Sequence, residues 1–356
     1  MSHHILTINP GSTSTKIGVY RDEELILEET LRHSSTEIGV YACIYDQLEF
    51  RREVVLDALR QKNYDIHSLD AVVGRGGLLK PVESGTYQVN DTMLQDLKVG
   101  VQGQHASNLG GIIAHEIAKP LNIPAYIVDP VSVDELDEVA KITGIPVIRR
   151  RSIFHALNQK AIGRKYAKDS NKEYCNLNLI VAHMGGGITV GAHKQGKVVE
   201  VNNGLDGEGP FSPERSGKLP VRDIMQMCFS GTYTLDKMNK LLTGQGGYVA
   251  YFQTNNTGEI CKAAAEGDQK AQLIQNAMAY GIAQEIGKCA TVFSGKVEAI
   301  LLTGGIAYNE SIINAIKERV SFIAPVFVYP GEDELLALTQ GGLRVLNGEE
   351  AVKLYE

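Results

Sequence analysis

The sequence predicts an α/β protein built from two duplicated domains, and three observations carry that prediction. An apolar run, a polar turn and a second apolar run occur twice, at residues 5–20 and 177–192. Each is followed by a third strand pattern, at 24–31 and 197–201. Each half then holds a buried strand that ends in glycines, Gly74-Arg75-Gly76-Gly77 in one and Gly304-Gly305 in the other. Duplication on this scale points to two copies of one supersecondary plan. In such a layout, ligands sit at strand ends between the domains, so both hairpin turns and the second Gly-Gly turn are expected to face one cleft.

Taken in order, 5–8 and 17–20 are strands around a turn with one Gly, four hydroxyls and a Lys. That turn offers N–H groups, short hydroxyls and a cation, which suit nucleotide phosphates. It is not a Walker A loop, because no second Gly precedes the Lys and a strand follows. The alternative is an ordinary Ser/Thr-rich hairpin. A helix pattern covers roughly 41–61, and helices follow at 91–100 and 105–119, the latter with apolar positions at Leu109, Ile112, Ile113 and Ile117. Residues 124–130 read as a short strand ending in Asp129. Beyond the second hairpin, helices are expected at 221–229, 234–242, 258–266 and 268–293. A last strand at 326–330 and a closing helix at 332–346 complete the chain. The expected domains are 1–150 and 151–334, with the C-terminal helix 335–356 packing back on the first.

The chain has 356 residues, a formal net charge of −7 and no basic cluster beyond Arg149-Arg150-Arg151, so nothing calls for a nucleic-acid surface. Its five cysteines are odd in number and far apart, without a CxxC pair. They read as reduced, mostly buried thiols of a cytoplasmic protein. No signal peptide or membrane span is expected.

Four segments together carry a resemblance. They are Asn9-Pro10-Gly11-Ser12-Thr13-Ser14-Thr15-Lys16, His183-Met184-Gly185-Gly186-Gly187, Arg215-Ser216-Gly217 and Leu302-Thr303-Gly304-Gly305-Ile306. Their kinds and order resemble those of the acetate and butyrate kinases, the acetokinase family, over essentially the whole chain. Pro10 after the Asn, the Ser-Pro-Glu-Arg-Ser-Gly segment around Arg215 and the short chain lie nearer the butyrate kinases. Branched-chain fatty acid kinases are a close variant. The resemblance implies paired actin/Hsp70/sugar-kinase-like, ribonuclease H-like domains. It implies the reaction ATP + butanoate = ADP + butanoyl phosphate, with Mg²⁺, a carboxylic acid and an acyl phosphate as small-molecule partners. A homodimer or larger homo-oligomer goes with it.

Such a reaction brings two anions together, so catalysis is positioning plus cations. By resemblance Arg75 grips the substrate carboxylate; the alternative is an Arg tying down a loop. Arg215 would stabilise the transition state from a loop, 209–217, with Gly at both ends and two prolines, shaped but able to swing; the alternative is a salt bridge with Glu214 or Glu208. Asp129 would act on the metal and its water, or simply begin a turn before Pro130. Glu334 or Asp333, together with Asn9, would serve the metal; the run Glu332-Asp333-Glu334 does not separate them, and acidic residues also suit a helix N-terminus. Asn9, Ser12, Ser14, Lys16, His183, Gly185, Gly186 and Gly187 would hold phosphates, and Gly304, Gly305, Ile306 and Asn309 would flank adenosine. His155 matches a family His that steadies the transferring phosphoryl group, though a lone His beside Phe154 is also what a packed core contains.

Three positions depart from the family pattern. Gln159 stands where a second His is frequent, Thr254-Asn255-Asn256-Thr257-Gly258 lacks the usual Asp and Arg, and Tyr308 replaces a charged residue. The competing classes are an acetate kinase, a non-catalytic nucleotide-gated actin- or chaperone-like protein, and a dinucleotide dehydrogenase. The last is disfavoured because no GxGxxG follows the first strand.

Overall fold

The computed structural model describes residues 2–356. In chain order the strands are β1 (His4–Pro10), β2 (Ser14–Arg21), β3 (Glu24–Arg32), β4 (Ala71–Arg75), β5 (Thr86–Gln88), β6 (Ala125–Val128), β7 (Asn178–Met184), β8 (Ile188–Lys194), β9 (Lys197–Val201), β10 (Ala299–Gly304), β11 (Val326–Pro330) and β12 (Lys353–Leu354). The chain divides into two compact units, Met1–Val133 with Asp333–Glu356, and Asp134–Glu332.

The first unit carries a sheet of order β12-β5-β6-β4-β1-β2-β3. β1, β2 and β3 form an antiparallel meander, and β4 and β6 run parallel to β1. The helices Leu48–Gln61 and Asn108–Leu121 pack on the face of Leu6, Ile8, Ile17, Val19 and Val72. The helix Glu334–Leu346 covers the opposite face, where Gly341 and Gly342 press on Val128, Val73 and Ile5. Cover on both faces explains why β1 and β4 read as continuous apolar runs rather than alternating ones. A Cβ on Gly74 would overlap the backbone of Gly110, so this pair of glycines sets how closely helix and strand approach.

The second unit repeats the plan, with order β11-β10-β7-β8-β9. β7, β8 and β9 are antiparallel, and β10 and β11 run parallel to β7. In both meanders the register shifts between the second and third strands, at Val19/Tyr20 and at Ala192/His193. The helix Gln269–Val292 packs on one face with Ile180, Ala182, Val190 and Leu302, and the helix Ala156–Asp169 lies on the other with Leu179, Val181 and Leu301. The duplicated α/β plan expected from sequence is what forms.

Several boundaries differ from expectation. The second unit begins at Asp134, not 151, because Asp137 N–H donates to Val199 O at 3.0 Å and Arg150 bridges Glu200 and Glu208. The C-terminal segment is not one helix over 335–356. The helix ends at Leu346, and β12 then pairs with β5 in the first sheet. The helix expected from residue 41 starts at Leu48, after a 3₁₀ turn at Tyr45–Gln47. The helices Ala156–Asp169 and Gly247–Phe252 and the strands β5 and β12 were not expected. All five cysteines are free, but only Cys261 and Cys289 are buried; Cys43, Cys175 and Cys228 are exposed, so the thiols are not mostly buried. Among the described residues no helix is long and apolar enough to cross a membrane.

Candidate active site

The candidate residues fall into one group in each unit. In the first unit Asn9, Arg75 and Asp129 stand at the C-terminal ends of β1, β4 and β6, which are neighbours in the sheet. Parallel register, with Ile8 beside Gly74 and Arg75 beside Val128, puts the three at one edge. Gly76 and Gly77 follow Arg75, and a Cβ on either would run into Pro130 or Asn108, so the strand end is pressed tightly into its surroundings.

Arg75 Nη1 donates to the Glu334 carboxylate and, at 3.4 Å, to Asn9 Oδ1; the Asn9 amide NH₂ also donates to Glu334. Glu334 is the first residue of its helix. Asp333 is the N-cap of the same helix, with its Oδ1 accepting Leu336 N–H at 2.9 Å. Of the two acids that sequence left level, Glu334 is the one gathered with Asn9 and Arg75. Asp129 is 1% exposed and lies in the left-handed backbone region, φ +38°. Its Oδ1 accepts Gly85 N–H at 2.9 Å, and its own N–H donates to Gly85 O.

The turn after β1 is held from beneath by Arg51, which is fully buried in the Leu48–Gln61 helix. Its guanidinium donates to Gly11 O at 2.8 Å, to Ser12 O, Ser14 O and Thr15 Oγ1 at 3.1 Å, and to Gln47 Oε1 at 3.0 Å. Burial pulls its pKa below the usual arginine value. The remaining turn carbonyl, Thr13 O, accepts His33 N–H. Sequence reasoning missed Arg51; an arginine on the apolar side of a helix pattern was the available signal. Lys16 pairs with Glu28 on the neighbouring strand at 2.8 Å, both half-exposed.

In the second unit β7 runs into the Gly185–Gly187 turn, closed by Gly185 N–H to Gly187 O at 3.0 Å. Gly186 O accepts Ser212 Oγ–H at 2.6 Å, which ties the turn to the Arg215 loop. A Cβ on Gly187 would overlap the Arg215 guanidinium, so only glycine leaves room for that side chain. Arg215 donates to Gly204 O at 2.6 Å, and burial lowers its pKa while Glu214 opposes the shift. Its loop is cross-tied internally by Ser212 N–H to Arg215 O and Lys218 N–H to Gly209 O, and Val249 N–H to Pro213 O joins it to the Gly247–Phe252 helix.

His183, 2% exposed, stacks on His155 with ring centroids 4.1 Å apart and planes 24° off parallel. His183 Nε2 lies 3.4 Å from Glu332, which also accepts Asn158 Nδ2–H at 3.2 Å. Gly304 has φ +90° and sits where a Cβ would strike the Met184 backbone, locking β10 against β7. Ile306 is buried in the core, and Asn309 caps the Glu310–Val320 helix by accepting Ile312 N–H at 3.0 Å. Asn255 Nδ2–H donates to Glu214 Oε1 at 2.5 Å.

Comparison with known proteins gives the family of the chain. The sequence pattern of the acetokinase family matches residues 140–324. Butyrate kinase 1 of Clostridium acetobutylicum is 63% identical over 354 residues, 99% of this chain and all of that one. Butyrate kinase 2 of the same organism is 59% identical over the full length of both. The crystal structure of Porphyromonas gingivalis acetate kinase superposes with a TM-score of 0.79 at 19% identity, covering 97% of this chain and all of that one. The chain belongs to the acetokinase family.

Proposed function

We propose that this chain is a short-chain fatty acid kinase that transfers the γ-phosphoryl group of ATP to butanoate, giving ADP and butanoyl phosphate. A carboxylate oxygen attacks the γ-phosphorus, and the bond to the β–γ bridging oxygen breaks as ADP leaves. The acid is already an anion near neutral pH, so no strong base is needed. What the protein must supply is alignment and positive charge.

The observation that carries this reading is the Arg75–Glu334–Asn9 cluster at the ends of parallel strands, in a chain 63% identical to a butyrate kinase. Arg75 offers a planar fork that matches a carboxylate. Glu334 and the Asn9 amide oxygen are hard oxygen donors of the kind Mg²⁺ takes. Among the described residues no three His, Cys, Asp or Glu side chains converge as a metal cage. That suits an ion held by one or two protein oxygens, with water and phosphate completing its shell. When bound, the ion would neutralise charge on the phosphate oxygens. Asp129 would orient that water shell. The turn at Ser12 to Ser14 has its carbonyls engaged by Arg51 and His33, so an anion there would meet N–H groups and hydroxyls. His183, Gly185, Gly186 and Gly187 would cradle phosphates in the same way. Arg215 and His155 would meet the charge of the transferring phosphoryl group.

Incubation with ATP, Mg²⁺, hydroxylamine and acids of two to six carbons tests the reading. Acyl hydroxamate should form, with butanoate, valerate or isobutyrate preferred. Two extra buried methylenes are worth about 1.6 kcal/mol, roughly 15-fold over acetate. No hydroxamate with any acid refutes the kinase; equal efficiency with acetate refutes the chain-length reading.

A further inference from the structure

A line of buried polar side chains in the second unit leads from Tyr174 to His155, and none of its inner members has a part in the reaction as described. Tyr174 Oη is 2.7 Å from His193 Nδ1, and His193 Nε2 is 2.9 Å from Gln159 Oε1. Gln159 Nε2 reaches Thr189 O at 3.0 Å and Thr189 Oγ1 at 2.8 Å. Thr189 Oγ1 is 2.9 Å from His155 Nδ1. His193, Gln159 and Thr189 are fully buried.

Donor and acceptor chemistry fixes the direction of the inner bonds of this line. Thr189 O is a main-chain carbonyl and can only accept. The Gln159 atom facing it must therefore be the NH₂ group, which orients the amide. That NH₂ spends its second hydrogen on Thr189 Oγ1. The Gln159 carbonyl oxygen is then left toward His193 and must receive a proton from Nε2. Burial holds the His193 pKa well below the usual histidine value, so its ring is neutral and carries one proton only. Its Nδ1 therefore accepts, and Tyr174 O–H donates to it. At the other end Thr189 Oγ1 accepts from Gln159 with one lone pair and has one hydrogen and a second lone pair to offer His155 Nδ1; the proposed arrangement has the hydrogen pointing to Nδ1.

We propose that this directed line of hydrogen bonds holds His155 as the Nε2–H tautomer, making Gln159 and Thr189 positioning residues for phosphoryl transfer. The inference rests on the role given to His155 above. A histidine with its proton on Nε2 presents a donor to an anionic phosphoryl oxygen; the other tautomer would present a lone pair and repel it. The stack against His183 sets the plane of the ring, and Thr189 sets its rotation within that plane. Gln159 is the origin of the polarity, because it alone in the line faces a main-chain carbonyl.

Nitrogen NMR of the full-length enzyme labelled with ¹⁵N-histidine tests this, with the His155 signals assigned by their loss in His155→Asn. The expected spectrum shows His155 Nδ1 as an unprotonated, pyridine-type nitrogen and Nε2 as a protonated one. A protonated Nδ1 in the wild type overturns the proposal, and this measurement needs no positioning variant to fold. Thr189→Val removes the hydroxyl and keeps the carbonyl that receives Gln159. It should expose a protonated-Nδ1 population and lower kcat by about tenfold or more, the direction of a weakened transition-state donor. KM for ATP and butanoate should stay within about twofold, because the group acts on transition-state charge. Thr189→Ser should keep both the wild-type tautomer and the rate. A Thr189→Val enzyme with the wild-type tautomer, or with a changed tautomer and unchanged kcat, overturns the positioning role. Full activity in His155→Ala would instead remove the catalytic role of His155 while leaving the tautomer result standing.

Discussion

Arg75 and Glu334 lie 259 residues apart in the chain, yet their side chains are paired in the first unit, and Asn9 bonds to both. Two strands and the closing helix must fold together to bring them there. On the proposed reading, the same cluster would unite a carboxylate-binding cation with a metal-binding oxygen, the two needs of a reaction between anions.

Arg75→Ala should raise KM for butanoate by at least tenfold, roughly the loss of a charged hydrogen bond of 1.5–3 kcal/mol, and leave KM for ATP close to wild type. The substitution also takes a cation from beside the half-buried Glu334. Adding Glu334→Gln should therefore recover part of the lost thermal stability without recovering activity. Steady-state kinetics and melting curves of the two variants check this. A change confined to KM for ATP would move Arg75 away from the acid.

Asp129→Asn should abolish nearly all turnover while the fold and Tm hold or improve. Asn tolerates the left-handed backbone, and its amide oxygen can still accept Gly85 N–H. It also removes a charge from a site that is 1% exposed. Circular dichroism with turnover is the check; activity within about threefold of wild type would remove Asp129 from the chemistry.

Arg51→Met should destabilise the enzyme by about 2–4 kcal/mol, since it strips three part-buried turn carbonyls and the buried Thr15 hydroxyl of their donor. At temperatures where it remains folded, KM for ATP should rise more than KM for the acid. A variant with wild-type KM for ATP would reduce Arg51 to a purely structural residue.

Gly187→Ala places a methyl group where the Arg215 guanidinium lies. It should lower kcat with KM values little changed, as Arg215→Ala should, the latter by roughly 10³-fold, the scale of a lost arginine finger. Because both act through one side chain, the double variant should be no slower than Arg215→Ala alone. Additive losses would mean that Gly187 acts through something else.

The sheets were legible because buried strands leave unbroken apolar runs: β1, β4, β7 and β10 stand where those runs predicted. The glycine turns were legible for a related reason, since only glycine fits where Gly187 meets Arg215 and Gly304 meets Met184. The Ala156–Asp169 helix was not legible. Its buried face contains Asn158, Gln159 and Lys160, so it lacks the apolar stripe that marks a helix in sequence. Those polar residues are buried because they bond one another's surroundings, Lys160 to Glu135 and Gly196 O, and Gln159 to Thr189 and His193. Such a network is visible only once strands and helix are assembled. β5 and β12 are too short for any period to emerge, and the 134–150 segment reveals its unit only through Arg150 and its carboxylate partners. At the site, the four motifs named most of the residues. The choice of Glu334 over Asp333 needed the helix cap, and Arg51 needed the turn that it supports.

The most direct measurement follows the oxygen. The enzyme is supplied with ATP, Mg²⁺ and butanoate carrying ¹⁸O in its carboxylate, and the products are read by ³¹P NMR. Direct transfer predicts ADP and butanoyl phosphate in equal amounts, with the ¹⁸O isotope shift on the acyl phosphate phosphorus because the bridging oxygen comes from the acid. AMP and pyrophosphate, or ADP with only unlabelled inorganic phosphate, would contradict phosphoryl transfer to the carboxylate.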